Sequence, residues 1–250
     1  MSKRIDKCNA VALKIINYSN TSQIIQFMTD KFGKVGVIAK GSRNPKSKMS
    51  GVLQNLSEYE IVIYKKENTL SLLKEISTTQ DNKELFDDLY CTASAQAAAE
   101  VYLQLIFEKN DYESFYILLH DYLQYLKKVD DKYIIIFWRF LLRVASYLGF
   151  SMEFRRCVIC SEDNINKMHG ISFHKNGFIC KECSKKKPVN ENYSCSKKTA
   201  KLLANLRTIG NQLEEVEVTN FMIKEINAIF KNYFQYQFHK KFHLRSLEIF

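Results

Sequence analysis

Hydrophobic and polar positions change period along this chain. Over the first 80 residues they alternate. Val11, Leu13 and Ile15 fall on one face of a strand predicted over residues 9–17, and residues 23–29 and 34–40 follow as second and third strands. Asp30-Lys31-Phe32-Gly33 makes the turn between those two, with Gly33 free to take a positive φ. Two more strands are expected over residues 57–65 and 69–77, joined by Lys66-Glu67-Asn68. Five short antiparallel strands in a segment of this length fit a small closed barrel, of which the OB-fold is the five-stranded form. From about Leu85 the texture becomes helical. Residues 89–108 are rich in alanine (Ala93, Ala95, Ala97, Ala98, Ala99), which lets a helix lie close to its neighbours. Asn110-Asp111-Tyr112-Glu113 reads as the cap of a helix running to about residue 128, with Phe115, Leu118, Leu119, Tyr122, Leu123 and Leu126 on one stripe. Asp130-Asp131 opens a third helix that Gly149 closes, and residues 196–210 and 219–240 make two more. The expected fold is therefore α+β and multidomain: a five-stranded OB-fold barrel over residues 1–80, then an all-α helical domain over 81–250 into which a cysteine module is inserted at 155–187.

That module carries the sharpest chemistry in the chain. Cys157-Val158-Ile159-Cys160 and Cys180-Lys181-Glu182-Cys183 are two Cys-x-x-Cys pairs, each able to clamp one side of a tetrahedral ion. Between them, Asn176-Gly177 suits a type I′ turn that carries the second pair back to the first. Four thiolates favour one Zn ion, with iron as the lesser alternative. They leave no open position, so the role is structural. Free buried thiols or two disulfides are competing readings of the same letters, but neither explains paired spacing around a turn. His169 and His174 read as solvent-facing hairpin residues, with substitute ligation as the alternative, and Cys8, Cys91 and Cys195 read as packed thiols.

Charge is segregated. Residues 1–80 carry 13 Lys+Arg against 6 Asp+Glu, residues 81–150 carry 7 against 11, and residues 151–250 carry 17 against 10. The net values are +7, −4 and +7, a distribution suited to a polyanion partner, although a lysine-rich solvated surface is the plainer reading. The most suggestive basic element is the turn-rich loop over residues 41–51. Lys34, Lys40, Arg43, Lys46 and Lys48 are candidate phosphate contacts for an OB-type groove. Phe27, Phe32, Tyr59 and Tyr64 are candidate stacking residues, although each taken singly reads first as barrel core, since strand aromatics usually pack inward. No Gly-rich phosphate loop, Gly-x-Ser-x-Gly elbow or His-Glu-x-x-His is present, and His239 and His243, four apart on a helix, read as surface residues. The sequence points to a binding protein and away from an enzyme. The start Met1-Ser-Lys-Arg-Ile-Asp has no apolar run behind it, and the run ending at Trp138 is too short to span a bilayer. A cytoplasmic protein with reduced thiols and no membrane association is expected.

The string Tyr18-Ser19, Phe27-Met28-Thr29, Gly33-Lys34, Ile38-Ala39-Lys40-Gly41-Ser42-Arg43, Lys46-Ser47 and Gly51-Val52-Leu53-Gln54 resembles the N-terminal domain of the bacterial RecO family of recombination mediators. The resemblance continues through Phe140-Leu141-Leu142, Leu148-Gly149-Phe150 and the two cysteine pairs, covering nearly the whole chain. Asn20 departs from the Glu of many relatives, and Asn176-Gly177 from a common Gly-Gly; neither touches the cysteines. The resemblance implies a non-enzymatic DNA-repair mediator, nucleoid-associated during repair. Such a protein binds single- and double-stranded DNA and anneals complementary strands. It engages the acidic C-terminal tail of single-strand-binding protein (SSB), and pairs with RecR to load RecA onto SSB-coated DNA. It places Arg139 in the SSB-tail pocket, where an internal salt bridge is the competing reading. Some relatives lack the cysteines, so zinc would support structure without defining activity. A reading from another class is a zinc-ribbon accessory protein binding nucleic acid in transcription or RNA processing.

Overall fold

The computed structural model describes residues 5–66, 69–186, 192–211 and 213–250. They divide into two compact units, Met1–Asp130 and Asp131–Phe250. In the first unit, β1 (Ile5–Tyr18), β2 (Ser22–Thr29), β3 (Gly33–Ala39), β4 (Glu58–Tyr64) and β5 (Ser71–Gln80) close into a barrel in the order β1-β2-β3-β5-β4. This is the OB-fold arrangement that the alternating pattern predicts. All pairs are antiparallel except β3 with β5, where Val37 faces Ser71 and Ile38 faces Leu72. The connection from β3 to β4 therefore cannot be a hairpin, and residues 40–57 cross between the two strands.

The barrel core holds Cys8, Ala10, Ala12, Ile25, Phe27, Val37, Ala39, Tyr59, Ile61, Ile63 and Leu73. On β1 this differs from the expected face of Val11, Leu13 and Ile15. A bulge between Ala12 and Lys14 switches the register, so Ala10 and Ala12 point inward before it and Ile15 packs inward after it. The bulge lets one long strand bend enough to pair with β4 over its first half and β2 over its second. Val11 and Leu13 are buried outside that cluster.

Two helices, α1 (Leu89–Gln104) and α2 (Tyr112–Leu126), belong to the same compact unit as the barrel, although the sequence pattern changes at residue 80. The six stripe residues of α2 are all buried. Glu58 of β4, with 3% of its side chain exposed, contacts His120 Nδ1 at 2.8 Å and accepts from Gln124 Nε2 at 3.0 Å. A buried carboxylate thus holds α2 to the barrel wall. The expected side-chain cap of α2 is not made; a 3-10 turn at Lys109–Asp111 leads into it instead. Among the described residues, no helix is long and apolar enough to cross a membrane.

The second unit contains α3 (Tyr133–Tyr147), β6 (Met168–Ser172), β7 (Gly177–Cys180), α4 (Lys181–Lys186), β8 (Asn192–Ser194), α5 (Lys197–Asn205) and α6 (Asn220–Phe238). Gly149 closes α3 with φ +84°, and Phe150 N–H returns to Ala145 O at 3.0 Å. Thr219 caps α6 by accepting from Met222 N–H, and His239 ends it in the left-handed region. His239 and His243 consequently do not share a helix face. Strands β7, β6 and β8 form a small sheet. Rings of Phe150, Phe173, Tyr233, Phe234 and Phe238 pack edge to face or stacked beside it, joining the hairpin to α6.

The β6–β7 turn is longer than the predicted type I′ turn. Residues 173–176 form it, and the positive φ falls on Asn176 alone, at +54°. Asn176 Oδ1 accepts from Gln237 Nε2 at 2.8 Å and lies 3.0 Å from the Tyr233 hydroxyl. Gly177 is needed for a different reason. Its backbone bridges Glu153, and a Cβ there would sit 2.4 Å from Glu153 O. Gly177→Ala is expected to destabilise the protein by about 1–3 kcal/mol through this overpacking. Asn176→Gly, which relieves φ but loses two contacts, should cost less. Equal stability of Gly177→Ala and the parent in urea denaturation would contradict the assignment.

Candidate metal centre and nucleic-acid interface

The four paired cysteines converge. Cys157 and Cys160 lie in a tight turn, Cys180 ends β7, and Cys183 sits in the first turn of α4. Their sulfurs all lie within 4.8 Å of one another, and the Cys160 and Cys180 sulfurs are 3.7 Å apart. A disulfide needs about 2.05 Å, so that reading is excluded for this pair. A tetrahedral thiolate site with metal–sulfur bonds of about 2.3 Å has edges of about 3.8 Å, which matches. The chain also prepares the charge. Burial raises the Cys157 thiol, but backbone N–H groups of Cys160, Cys180 and Ile159 outweigh it and bring the group down to about 7. Cys183 is instead pushed up to about 12, by burial first and then by the neighbouring thiols. An added cation reverses that repulsion. The cluster can therefore hold a metal ion through four sulfurs. His169 and His174 are exposed and outside it. Cys8 and Cys91 are buried, Cys195 is half-buried, and burial pushes these thiols up to about 12, 11 and 12.

The basic candidates separate into two places. Lys40, Arg43, Lys46 and Lys48 are all exposed on the crossing loop. That loop is a series of linked turns, with Asn44, Ser47 and Ser50 N–H groups bonding back to Gly41, Asn44 and Ser47 carbonyls. It is pinned to the β1–β2 hairpin by Arg43 N–H to Thr21 O at 2.8 Å and by Ser42 Oγ to Gln23 Oε1 at 3.0 Å. Met49, Val52 and Leu53 anchor its other side on the core. The cations thus stand on an ordered platform. Lys34 lies about 20 Å away, at the opposite end of β3. Its ammonium donates to the Leu103 and Leu105 carbonyls at 2.7 and 2.8 Å, and to Tyr102 O at 3.3 Å. Helix α1 ends there, four residues before its expected limit, because a side chain rather than a further turn satisfies its last carbonyls.

The aromatic candidates also divide. Phe27 and Tyr59 pack edge to face inside the barrel, and the Tyr59 hydroxyl accepts from Gln54 N–H at 2.7 Å. Phe32 and Tyr64 are partly exposed, each beneath a lysine: Lys65 at 4.3 Å and Lys74 at 4.7 Å from the ring centres. Phe32, Lys34, Gly36, Lys65, Lys66 and Leu70 line an open cleft of about 650 Å³ on the barrel wall. The sequence-predicted site residues do not include Lys65 or Lys66, nor Tyr18, which is 51% exposed beside the basic loop. Alternation carries the signal that finds Tyr18. Ile16 and Tyr18 are the outward positions of β1, and Ile16 continues across the wall through Ile24, Ile38, Leu72 and Tyr64 as direct cross-strand neighbours.

In the second unit, Arg139 is half-buried in α3, close against Gly210, where an added Cβ would lie 2.8 Å from a guanidinium nitrogen. It has no hydrogen-bond or ion-pair partner among the described residues.

Comparison with known proteins gives a consistent result. The family description "Recombination protein O N terminal" matches residues 1–81, and "Recombination protein O C terminal" matches residues 86–247. A protein of Chlorobium limicola named DNA repair protein RecO is 29% identical over 237 residues, covering 88% of this chain and 89% of that protein. Its namesake in Bacillus subtilis is 26% identical over 234 residues, covering 92% and 89%.

Two outcomes are expected. Elemental analysis of protein purified without chelator should find one metal ion per chain, and stripping it should lower the thermal midpoint of the second unit. Because binding displaces protons from thiols, acidification should release the ion. Metal-free protein with unchanged melting would contradict a structural site. Separately, Lys34→Met should cost about 1–3 kcal/mol of stability, since the α1 carbonyls lose a charged donor. It should leave the salt dependence of DNA binding unaltered; a flattened dependence would return Lys34 to the interface.

Proposed function

The chain belongs to the RecO family, and from that premise we propose that it is a DNA-repair mediator that binds DNA through its barrel without catalysing a reaction. The observation that carries the reading is the ordered crossing loop, with four exposed cations held on a barrel that has no free sheet edge. Lys40, Arg43, Lys46 and Lys48 contact phosphates. Bases lie along the outward row of Ile16, Ile24 and Ile38, with Tyr18 and Tyr64 as stacking surfaces, towards the Lys65–Lys66 cleft. Such a groove takes single strands without strong sequence preference, because every base presents a π-face. It also suits annealing, since strands held by their backbones keep base edges available for pairing. Lys34 supports this surface from behind by ending α1.

The ion held by the four cysteines is zinc in this reading, since four thiolates in a tetrahedral site favour a soft, redox-inert ion. It stabilises the hairpin against α6 and takes no part in chemistry. Arg139 binds the terminal carboxylate of the SSB tail. A half-buried guanidinium without an internal acid partner is suited to bidentate capture of a carboxylate, and Gly210 leaves the space in which it lies flat. The same assembly would use RecR to deliver RecA to SSB-coated strands in the cytoplasm.

Contact with about four phosphates predicts a log–log salt slope of about −3 for single strands. The Lys46→Ala/Lys48→Ala double variant should reduce its magnitude by about 1.4. An unchanged slope and affinity would remove the loop from the site. For the tail, Arg139→Ala should weaken binding of a fluorescent SSB-tail peptide by about tenfold or more, and Arg139→Lys should not restore it. Parent-like peptide binding by Arg139→Ala would dismiss the pocket.

A further inference from the structure

A second basic site lies in the unit Asp131–Phe250, in the angle between α6 and the C-terminal segment. Lys224, Asn227 and Lys231 occupy one face of α6 at helical spacing, and Arg245 faces them across a cavity of about 440 Å³. Ala228, Leu244, Leu247 and Phe250 form its apolar wall. None of Lys224, Lys231 or Arg245 has a hydrogen-bond or ion-pair partner among the described residues. The orientation of Asn227 is fixed by chemistry. Its Oδ1 accepts from the buried Trp138 Nε1 at 2.8 Å, so its amide N–H₂ is the end left for the cavity. Glu248 is the one acidic side chain lining it.

This lining is rich in donors and poor in acceptors, so it selects an anionic ligand. Three cations and the Asn227 amide make four donor groups, which outnumber the two free oxygens of one carboxylate or one internal phosphodiester. A phosphate monoester carries about −1.5 to −2 and three strong acceptor oxygens. The apolar wall beside the cations gives a flat organic body a place to lie, and a volume of this size suits a small ligand rather than a long track.

We propose that this cavity binds the phosphomonoester end of a nucleotide, with the phosphate held by Lys224, Lys231, Arg245 and the Asn227 amide, and the sugar and base against Leu244 and Leu247. The chemistry is shared by a free nucleoside monophosphate and by the 5′-phosphorylated end of a strand. The site is independent of the barrel loop, and a loop that failed to bind DNA would leave it standing.

The test uses the full chain at fixed salt, with 5′-phosphorylated and 5′-hydroxyl dT10 as probes and dTMP, inorganic phosphate and a glutamate decapeptide as competitors. The phosphorylated strand should bind about tenfold more tightly, the scale of one or two charge-assisted contacts. Lys224→Ala/Arg245→Ala should abolish that preference, and so should Asn227→Asp, which keeps the acceptor for Trp138 but replaces the donor with a charge. All three positions are on the surface or half-buried, and unchanged thermal midpoints check folding. The loop variant Lys46→Ala/Lys48→Ala should lower affinity for both strands and retain the preference. Cancellation of the preference by dTMP at concentrations where inorganic phosphate has no effect supports the apolar wall. Tight direct binding of dTMP identifies the free nucleotide as the source, and a preference confined to the oligonucleotide identifies the strand end. Equal binding of the two strands, a preference that survives Lys224→Ala/Arg245→Ala, or displacement by the glutamate peptide as effective as by dTMP would overturn the proposal.

Discussion

A single parallel pairing governs the first unit. Closing five strands with β3 beside β5 forbids a hairpin between β3 and β4, so the chain must cross from one to the other through residues 40–57. A connection of that length has too many backbone polar groups to bury, so it runs on the surface as linked turns. Its apolar residues Met49, Val52 and Leu53 face the core, and its cations face solvent. The exposed charge is therefore a consequence of topology. The same closure removes sheet edges, leaving the outer wall and its loops as the surfaces open to a partner.

Features set by local pattern were legible in the sequence. The six apolar residues of α2 repeat at helical spacing and are buried together. The paired cysteines announce their own convergence, since two residues between ligands already fix a chelating geometry. Features that depend on distant partners were not legible. Nothing in the sequence near Lys34 reveals that α1, about seventy positions later, will end against it. The bulge at Ala12–Lys14 is equally silent, because strict alternation is the rule it breaks. Asn176-Gly177 misleads for a sharper reason. Both residues suit a tight turn, but only Asn176 takes the positive φ, while Gly177 is held by the approach of the Glu153 backbone.

The second unit joins its parts through one aromatic layer. Tyr233 of α6 reaches both the Phe150 carbonyl, just beyond α3, and Asn176 in the cysteine hairpin. The rings of Phe173, Phe234 and Phe238 pack around that junction. The cysteine hairpin, the residue beyond α3 and α6 are consequently packed together, and an ion held by the four cysteines would act on α6 through this contact.

Handling of DNA already coated by SSB is the proposed activity on which the mediator role turns. Its most direct test is annealing of complementary oligonucleotides pre-coated with the cognate SSB, with and without the acidic tail. Acceleration that depends on the tail is expected, together with tail-independent annealing of bare strands. Acceleration of bare strands alone would reduce the protein to a DNA binder without the mediator role, and failure with both substrates would contradict the account as a whole.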